Sequence, residues 1–349
     1  MAESYSSPVS ASPGIQLPAA VPGLVLATLI AVFAETLHRY PGLDRFNPMI
    51  LAMLIGLGFS VLIGTPAHCR AGTGFAARTL LRWAIALLGL QLALTRLGDL
   101  GWSGILLILL VVPATFSVTV LLGRWLGVPR ELRYLIAFGT SICGASAVMA
   151  GNTVVKGSED EAAYGIACVT IFGTAAMLLY PLVPGLLGLN VDQFGLWAGA
   201  TIHEIGQVVA AGYQHGTISG DMATLAKLSR VLLLAPVVMT VGLIFRRHVQ
   251  PRPQADAVRN SASGRIALPW FILVFVVLAG INSLGLVPQA VQHAAPDVTG
   301  FMMAVALGAM GLNTDGRKLL RRGWRPLLLG FLASLFIGAL GLLLVVVLP

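Results

Sequence analysis

The chain is predicted to be an all-α, polytopic membrane protein, and three observations predict it. Hydrophobic residues make up 57% of the 349 positions. Charged residues make up only 10%, where a soluble domain carries roughly 25%. The apolar residues also come in continuous runs rather than in alternation, which argues against a membrane β-barrel. A mean hydropathy of +0.87 spreads the excess along the whole chain, so a soluble enzyme, a secreted disulfide scaffold and a disordered chain are all excluded. The 19 prolines and 40 glycines argue further against a bundle of uninterrupted helices.

Residues 1–20 are rich in Ser, Pro and Ala, lack the basic start of a signal peptide, and read as a disordered tail. Eleven apolar stretches then approach the length needed to cross roughly 30 Å of hydrocarbon at 1.5 Å per residue. The first eight, within 21–245, are Val21–Leu37, Pro48–Ile63, Thr79–Leu97, Trp102–Leu122, Tyr134–Val155, Ala162–Leu187, Phe194–Tyr213 and Met222–Phe245. A hydrophilic stretch at 246–265, with Pro251, Pro253 and five arginines, reads as a flexible linker. The last three, within 266–349, are Ile266–Val287, Val298–Leu312 and Pro326–Leu348.

The net charge of +8 would suggest nucleic acid in a soluble protein, but the placement of the basic residues supplies a different reason. With the N-terminus cytoplasmic, Arg70, Arg78, Arg82, Arg124, Arg130, Arg133, the five linker arginines and the cluster Arg317, Lys318, Arg321, Arg322, Arg325 all fall inside. Arg39, Arg45, Arg96 and Lys156 fall outside, and Lys227 and Arg230 lie within the eighth span near its outer end. That asymmetry predicts N-terminus in and C-terminus out, with no nucleic-acid partner. The basic loops also suit anionic lipid, and a homo-oligomer stays open. Cys69, Cys143 and Cys168 have no paired or metal-like spacing, so no metal or cofactor is expected.

The third and tenth spans superpose at an offset of 222 residues, Gly89-Leu90-Gln91 on Gly311-Leu312-Asn313 and Gly101-Trp102 on Gly323-Trp324, with Gly58 on Gly280 in the spans before. Seven spans apart means opposite orientation, which is the inverted repeat of secondary transporters. Two spans look broken. The fifth reads Gly139-Thr140-Ser141-Ile142-Cys143-Gly144-Ala145-Ser146, the seventh Gly199-Ala200-Thr201-Ile202-His203-Glu204-Ile205-Gly206-Gln207, and they share a pattern at an offset of 60. A helix unwound in mid-membrane exposes amides suited to an anion, so Ser141, Cys143, Gly144 and Ser146 are candidate substrate contacts. Small-residue helix packing is the competing account. His203 and Glu204, an ionisable pair inside an apolar run, are candidate coupling groups, with Gln207 on the same helical face. Glu204 could instead cap a broken-helix end. Lys227 and Arg230 attract the anion, pair with Glu204 or snorkel. Gln91 and Asn313 form a pseudo-symmetric polar pair near the site or simply hold helices together.

The segments GTSICGASAVMA from Gly139, IHEIGQVVAAG from Ile202, LAKLSRVLLLAP from Leu225 and ALGAMGLNTDGRKLLRRGWRPLLLG from Ala306 resemble the YeiH-like membrane proteins, a family linked with sulfate export. The resemblance runs from about Pro22 to the C-terminus. It implies a multi-pass carrier of the bacterial inner membrane whose substrate is a small inorganic or sulfonate anion such as sulfate or sulfite, and it assigns no binding residue. A proton- or ion-coupled exporter is therefore the expectation, and no enzymatic activity is expected. A cation/proton antiporter would need mid-membrane Asp residues. A membrane-embedded lipid enzyme would need an Asp, His or Arg cluster at one face.

Overall fold

A computed structural model describes residues 17–41, 43, 46–91, 100–248, 270–314 and 323–348; the expected tail up to 16, most of the linker and the basic cluster at 317–322 lie outside them. Among the described residues there are helices and no strands. In chain order they are α1 (Leu17–His38), α2 (Pro48–Leu62), α3 (Arg70–Phe75) joined through a π-turn to α4 (Leu81–Leu88), α5 (Gly101–Trp125), α6 (Arg130–Phe138), α7 (Ala145–Val155) and α8 (Glu159–Leu179). A single turn, α9 (Pro184–Leu187), precedes α10 (Val191–Thr201), α11 (Ile205–Tyr213), α12 (Thr217–Leu232), α13 (Leu234–His248), α14 (Trp270–Ser283), α15 (Gln289–Asn313) and α16 (Trp324–Val347). The third span starts earlier than its hydropathy suggests, at Arg70, and the helix of the tenth begins already at Gln289.

The fifth and seventh spans, whose full crossing or re-entry the sequence leaves open, both turn back on themselves. Gly195 on α10 and Gly212 on α11 both pack on Ser219 at the start of α12, although the break at 202–204 lies between them. The seventh span is therefore a hairpin whose two arms return to one face. The fifth behaves alike: Gly151 of α7 lies on Phe138 of α6, and Gly157 on Leu135, so α6 and α7 are also antiparallel arms. Local chemistry makes both hairpins. Gly144, with φ +68° and ψ −133°, supplies a backbone conformation essentially restricted to glycine, and at the other break Ile202 and Glu204 turn extended. Lys156 in the left-handed region and the Ser158–Glu161 capping box turn the first hairpin into α8. An Asn190–Gln193 box starts the second.

Among the described residues six helices are long and apolar enough to cross a membrane, α1, α5, α8, α12–α13, α15 and α16, and with the shorter α2, α3–α4 and α14 they make nine segments that do not turn back. Because two spans return, the alternation of the rest is preserved, but α8 reverses and Lys156 joins the basic face that holds Arg130 and Arg325. The first hairpin enters from that face, the second from the opposite one. Eleven residues of α10 reach about 16 Å, half of a roughly 30 Å hydrocarbon layer, so the tips meet near mid-membrane.

The helices form two layers. α1–α4, α14 and α15 make a scaffold; α5, both hairpins, α8, α12–α13 and α16 make the other. In lipid no hydrophobic force drives helices together, so close backbone approach through small residues holds the scaffold. Gly311 lies against the backbone of Met53 and Leu57, and Gly89 against that of Phe275 and Ala279. Adding 222 to Gly89, Met53 and Leu57 gives Gly311, Phe275 and Ala279, so one contact is the other with its repeats exchanged. Gly101 and Gly323, the next markers, both adopt positive φ where α5 and α16 begin.

Candidate functional site

Where the hairpin tips meet, α12 delivers two cations. Lys227 and Arg230 are fully buried, ten and thirteen residues into a 29-residue span rather than near its outer end. Gly199 and Gly195 let α10 lie on the α12 backbone, which brings both side chains to the tips. Lys227 Nζ donates to Ile142 O at 2.9 Å and to Ile202 O at 2.6 Å, one carbonyl from each hairpin. Arg230 Nη2 donates to Thr140 O at 3.1 Å and Nη1 to Ile202 O at 3.3 Å, while its Nε–H has no partner. These carbonyls end the first arms of the two hairpins, the negative ends of the helix dipoles, so the cations meet partial charges that would otherwise be uncompensated.

Glu204 lies at the other pole. Its carboxylate sits over Gly144, accepts from Thr170 Oγ1 at 2.9 Å, and meets the Ala145 N–H at the start of α7. Gln207 braces the turn: Oε1 accepts from the Glu204 N–H at 3.2 Å, and Nε2 donates to Thr170 O and Thr174 Oγ1 at 3.0 and 3.1 Å. Gly173 gives that amide its room. His203 Nε2 and Ser334 Oγ of α16 share a hydrogen bond of 2.8 Å. Below the second tip Trp197 stacks on Tyr180 with centroids 4.0 Å apart and donates to Gly338 O. Between the scaffold and α11, on the face opposite the N-terminal end of α1, opens a cavity of about 520 Å³ lined by Gln91, Tyr213, Asp221, Asn282, Gln292 and Thr299.

A family described as Conserved hypothetical protein 698 matches residues 22–330. A UPF0324 membrane protein of Pseudomonas aeruginosa is 37% identical, over 92% of this chain and 92% of its own length. One of Bacillus cereus is 34% identical over 93% and 90%, and the UPF0324 inner membrane protein YeiH of Escherichia coli is 33% identical over 88% of each. The chain belongs to the UPF0324 membrane protein family. The likeness to YeiH-like proteins read from the four motifs is thereby shown, and three of those motifs are the parts of this UPF0324 chain that meet at mid-membrane.

The tips bring together His203, Glu204, Gln207, Lys227, Arg230, Cys143 and Gly144. Ser141 is buried and spends its hydroxyl on Ala137 O at 2.6 Å, whereas Ser146 is exposed beside the tip. Gln91 and Asn313 do not meet. Each bonds a threonine of the other's span, Gln91 Nε2 to Thr299 Oγ1 at 2.6 Å and Thr73 Oγ1 to Asn313 Oδ1 at 2.8 Å, at opposite faces of the scaffold. Lys227 and Arg230 bind carbonyls rather than Glu204. Thr170, Thr174 and Ser334 escaped the sequence reading. Extending the 60-residue offset past the hairpin would have found Thr170, since it falls on Arg230. Among the described residues no His, Cys, Asp and Glu cluster suits a metal ion.

Proposed function

We propose that this UPF0324 protein is a secondary transporter that exports a small oxyanion, sulfate or sulfite, across the bacterial inner membrane, with its basic face and N-terminus in the cytoplasm. The observation that carries the reading is the meeting of two oppositely inserted hairpins at a buried centre that holds ionisable side chains. Two copies of one unit in opposite orientation can exchange conformations of similar energy and so alternate access. Irregular backbone at membrane depth is tolerated only where it is buried or lines a cavity, and intramembrane ionisable groups are functional by default.

The chemistry follows from the two poles. Lys227 and Arg230 bring positive charge and hydrogen-bond donors to the tips, and the amides that begin α7 and α11 point into the same region. Glu204 occupies the α7 amides as an internal anion. Protonating Glu204 frees those amides and removes a repulsive charge, so an oxyanion takes its place; deprotonation expels it. The Glu204 carboxylate and the anion thus compete for one set of donors, so the anion binds together with the proton, and the cavity beside α11 is the outer exit. Proteoliposomes loaded with radiolabelled sulfate or sulfite test this. Efflux should exceed that from protein-free vesicles under a pH gradient, and Glu204→Gln should abolish gradient-driven flux while sparing exchange. Equal efflux from empty and loaded membranes refutes the substrate, and equal loss of both modes makes Glu204 structural.

A further inference from the structure

We infer that Lys227 is a tethered stand-in for a coupling cation, so that the hairpin tips carry a cation site already filled from within. Unwound carbonyls and half-helix C-terminal ends at the centre of inverted-repeat transporters coordinate Na⁺. Here that set of ligands exists: Thr140 O and Ile142 O from the first tip and Ile202 O from the second converge from opposite faces of the membrane. What they coordinate is protein. The Lys227 ammonium takes one carbonyl from each tip, and Arg230 takes Thr140 O and shares Ile202 O.

Three features make this a cation site rather than an incidental landing place for a long side chain. Both side chains are fully buried, so neither snorkels to an interface. The ammonium bridges the two hairpins, which is the position from which one ion would join their motions. The arrangement also exists in one repeat only. At the 60-residue offset Lys227 falls on Ala167 and Arg230 on Thr170, so α8 brings no cation to the tips and one centre serves both hairpins. A small monovalent cation, Na⁺, Li⁺ or an alkylammonium, is the class that the carbonyls accept once Lys227 is shortened. The inference deepens the transport reading by assigning this site no free Na⁺, but its test reads stability and is independent of substrate.

Purified protein in detergent is melted in choline chloride and in NaCl, LiCl or methylammonium chloride at equal ionic strength. Wild type should melt at one temperature in all four salts. Lys227→Ala should melt lower in choline and recover saturably in at least one of the other salts, because a ligand that binds only the folded state stabilises it by mass action. Lys227→Ser, which leaves a hydroxyl for the ion's shell, replaces it where the alanine variant cannot be purified. A saturable, Na⁺-specific rise in wild type overturns the inference, as does a Lys227 variant that no cation raises above choline. A failed efflux assay with successful cation rescue would refute the oxyanion and leave the tethered cation standing.

Discussion

Gly144→Ala probes the tip most sharply, because two separable effects act on one methyl group. The first is conformational: at φ +68° and ψ −133° any side chain is strained, by about 1–3 kcal/mol. The second is steric. A Cβ there would overlap Glu204 Cγ and approach Oε1 to 3.2 Å, so the carboxylate must leave its place and forfeit the Thr170 bond. A hydrogen bond to a charged group is worth about 1.5–3 kcal/mol. The single substitution should therefore cost about 2.5–6 kcal/mol, summing the two ranges. In a Glu204→Ala background only the backbone term remains, so the same change should cost about 1–3 kcal/mol. Reversible unfolding titrations of the four proteins measure the coupling directly as a double-mutant cycle. Equal cost in both backgrounds would show that Glu204 does not lie over Gly144, and no cost in either would remove the left-handed tip.

Three other experiments address the frame. In protein whose buried Cys69, Cys143 and Cys168 are replaced, an impermeant maleimide should label Lys156→Cys from the same side as Asp256→Cys, and His215→Cys from the other; a crossing fifth span would put Lys156 and Asp256 on opposite sides. Gly89→Ala and Gly311→Ala should each cost about 1–3 kcal/mol of unfolding free energy and match within about 1 kcal/mol, since they overpack equivalent contacts. Gly58→Ala, with open space around it, should be neutral or stabilising, and a Gly311→Ala as harmless as Gly58→Ala would deny the packing. Gly206 now rests on Leu81 and Leu307 while Ser146 is exposed; exchanging repeats places Ser146 opposite Ile85 and Met303, so disulfides from Ser146→Cys to either cysteine should trap the alternate state.

Much of this architecture could be read from residue type and spacing. The Gly-Leu-amide and Gly-Trp markers give the 222-residue repeat because glycine is required wherever two backbones touch, and such positions leave a trace in sequence. His203 and Glu204 stand out because charge inside an apolar run is expensive. Re-entrance could not be read, because a hairpin of one nine-residue and one eleven-residue helix presents the same hydropathy as a single crossing helix. Nor could the cations' partners, since backbone carbonyls have no sequence signature. The lining of the outer cavity was hidden for a third reason: polar Gln292 falls outside the tenth span that hydropathy bounds, yet it stands on the same helix as Thr299.

The two offsets also explain why the centre is asymmetric. The first half of the chain runs α2, α3–α4, α5, hairpin, α8; the second runs hairpin, α12–α13, α14, α15, α16, the same elements in permuted order. Packing under a two-fold axis requires the same neighbours, not the same chain order, so permutation leaves the frame intact. Equivalent residues that touch must lie on that axis. Gly144 and Glu204 are equivalent at the 60-residue offset and are in contact, and Ile142 and Ile202, equally related, share one ammonium. On the axis there is space for one carboxylate and for one cation, not for two of each. A glutamate at both 144 and 204 would bring like charges together in a site with room for a single side chain, and a lysine at both 167 and 227 would set two ammonium groups on the same two carbonyls. The symmetry on which the proposed alternating access rests therefore compels its own breaking at the point where charge is held, and the residues that break it are Glu204, Lys227 and Arg230.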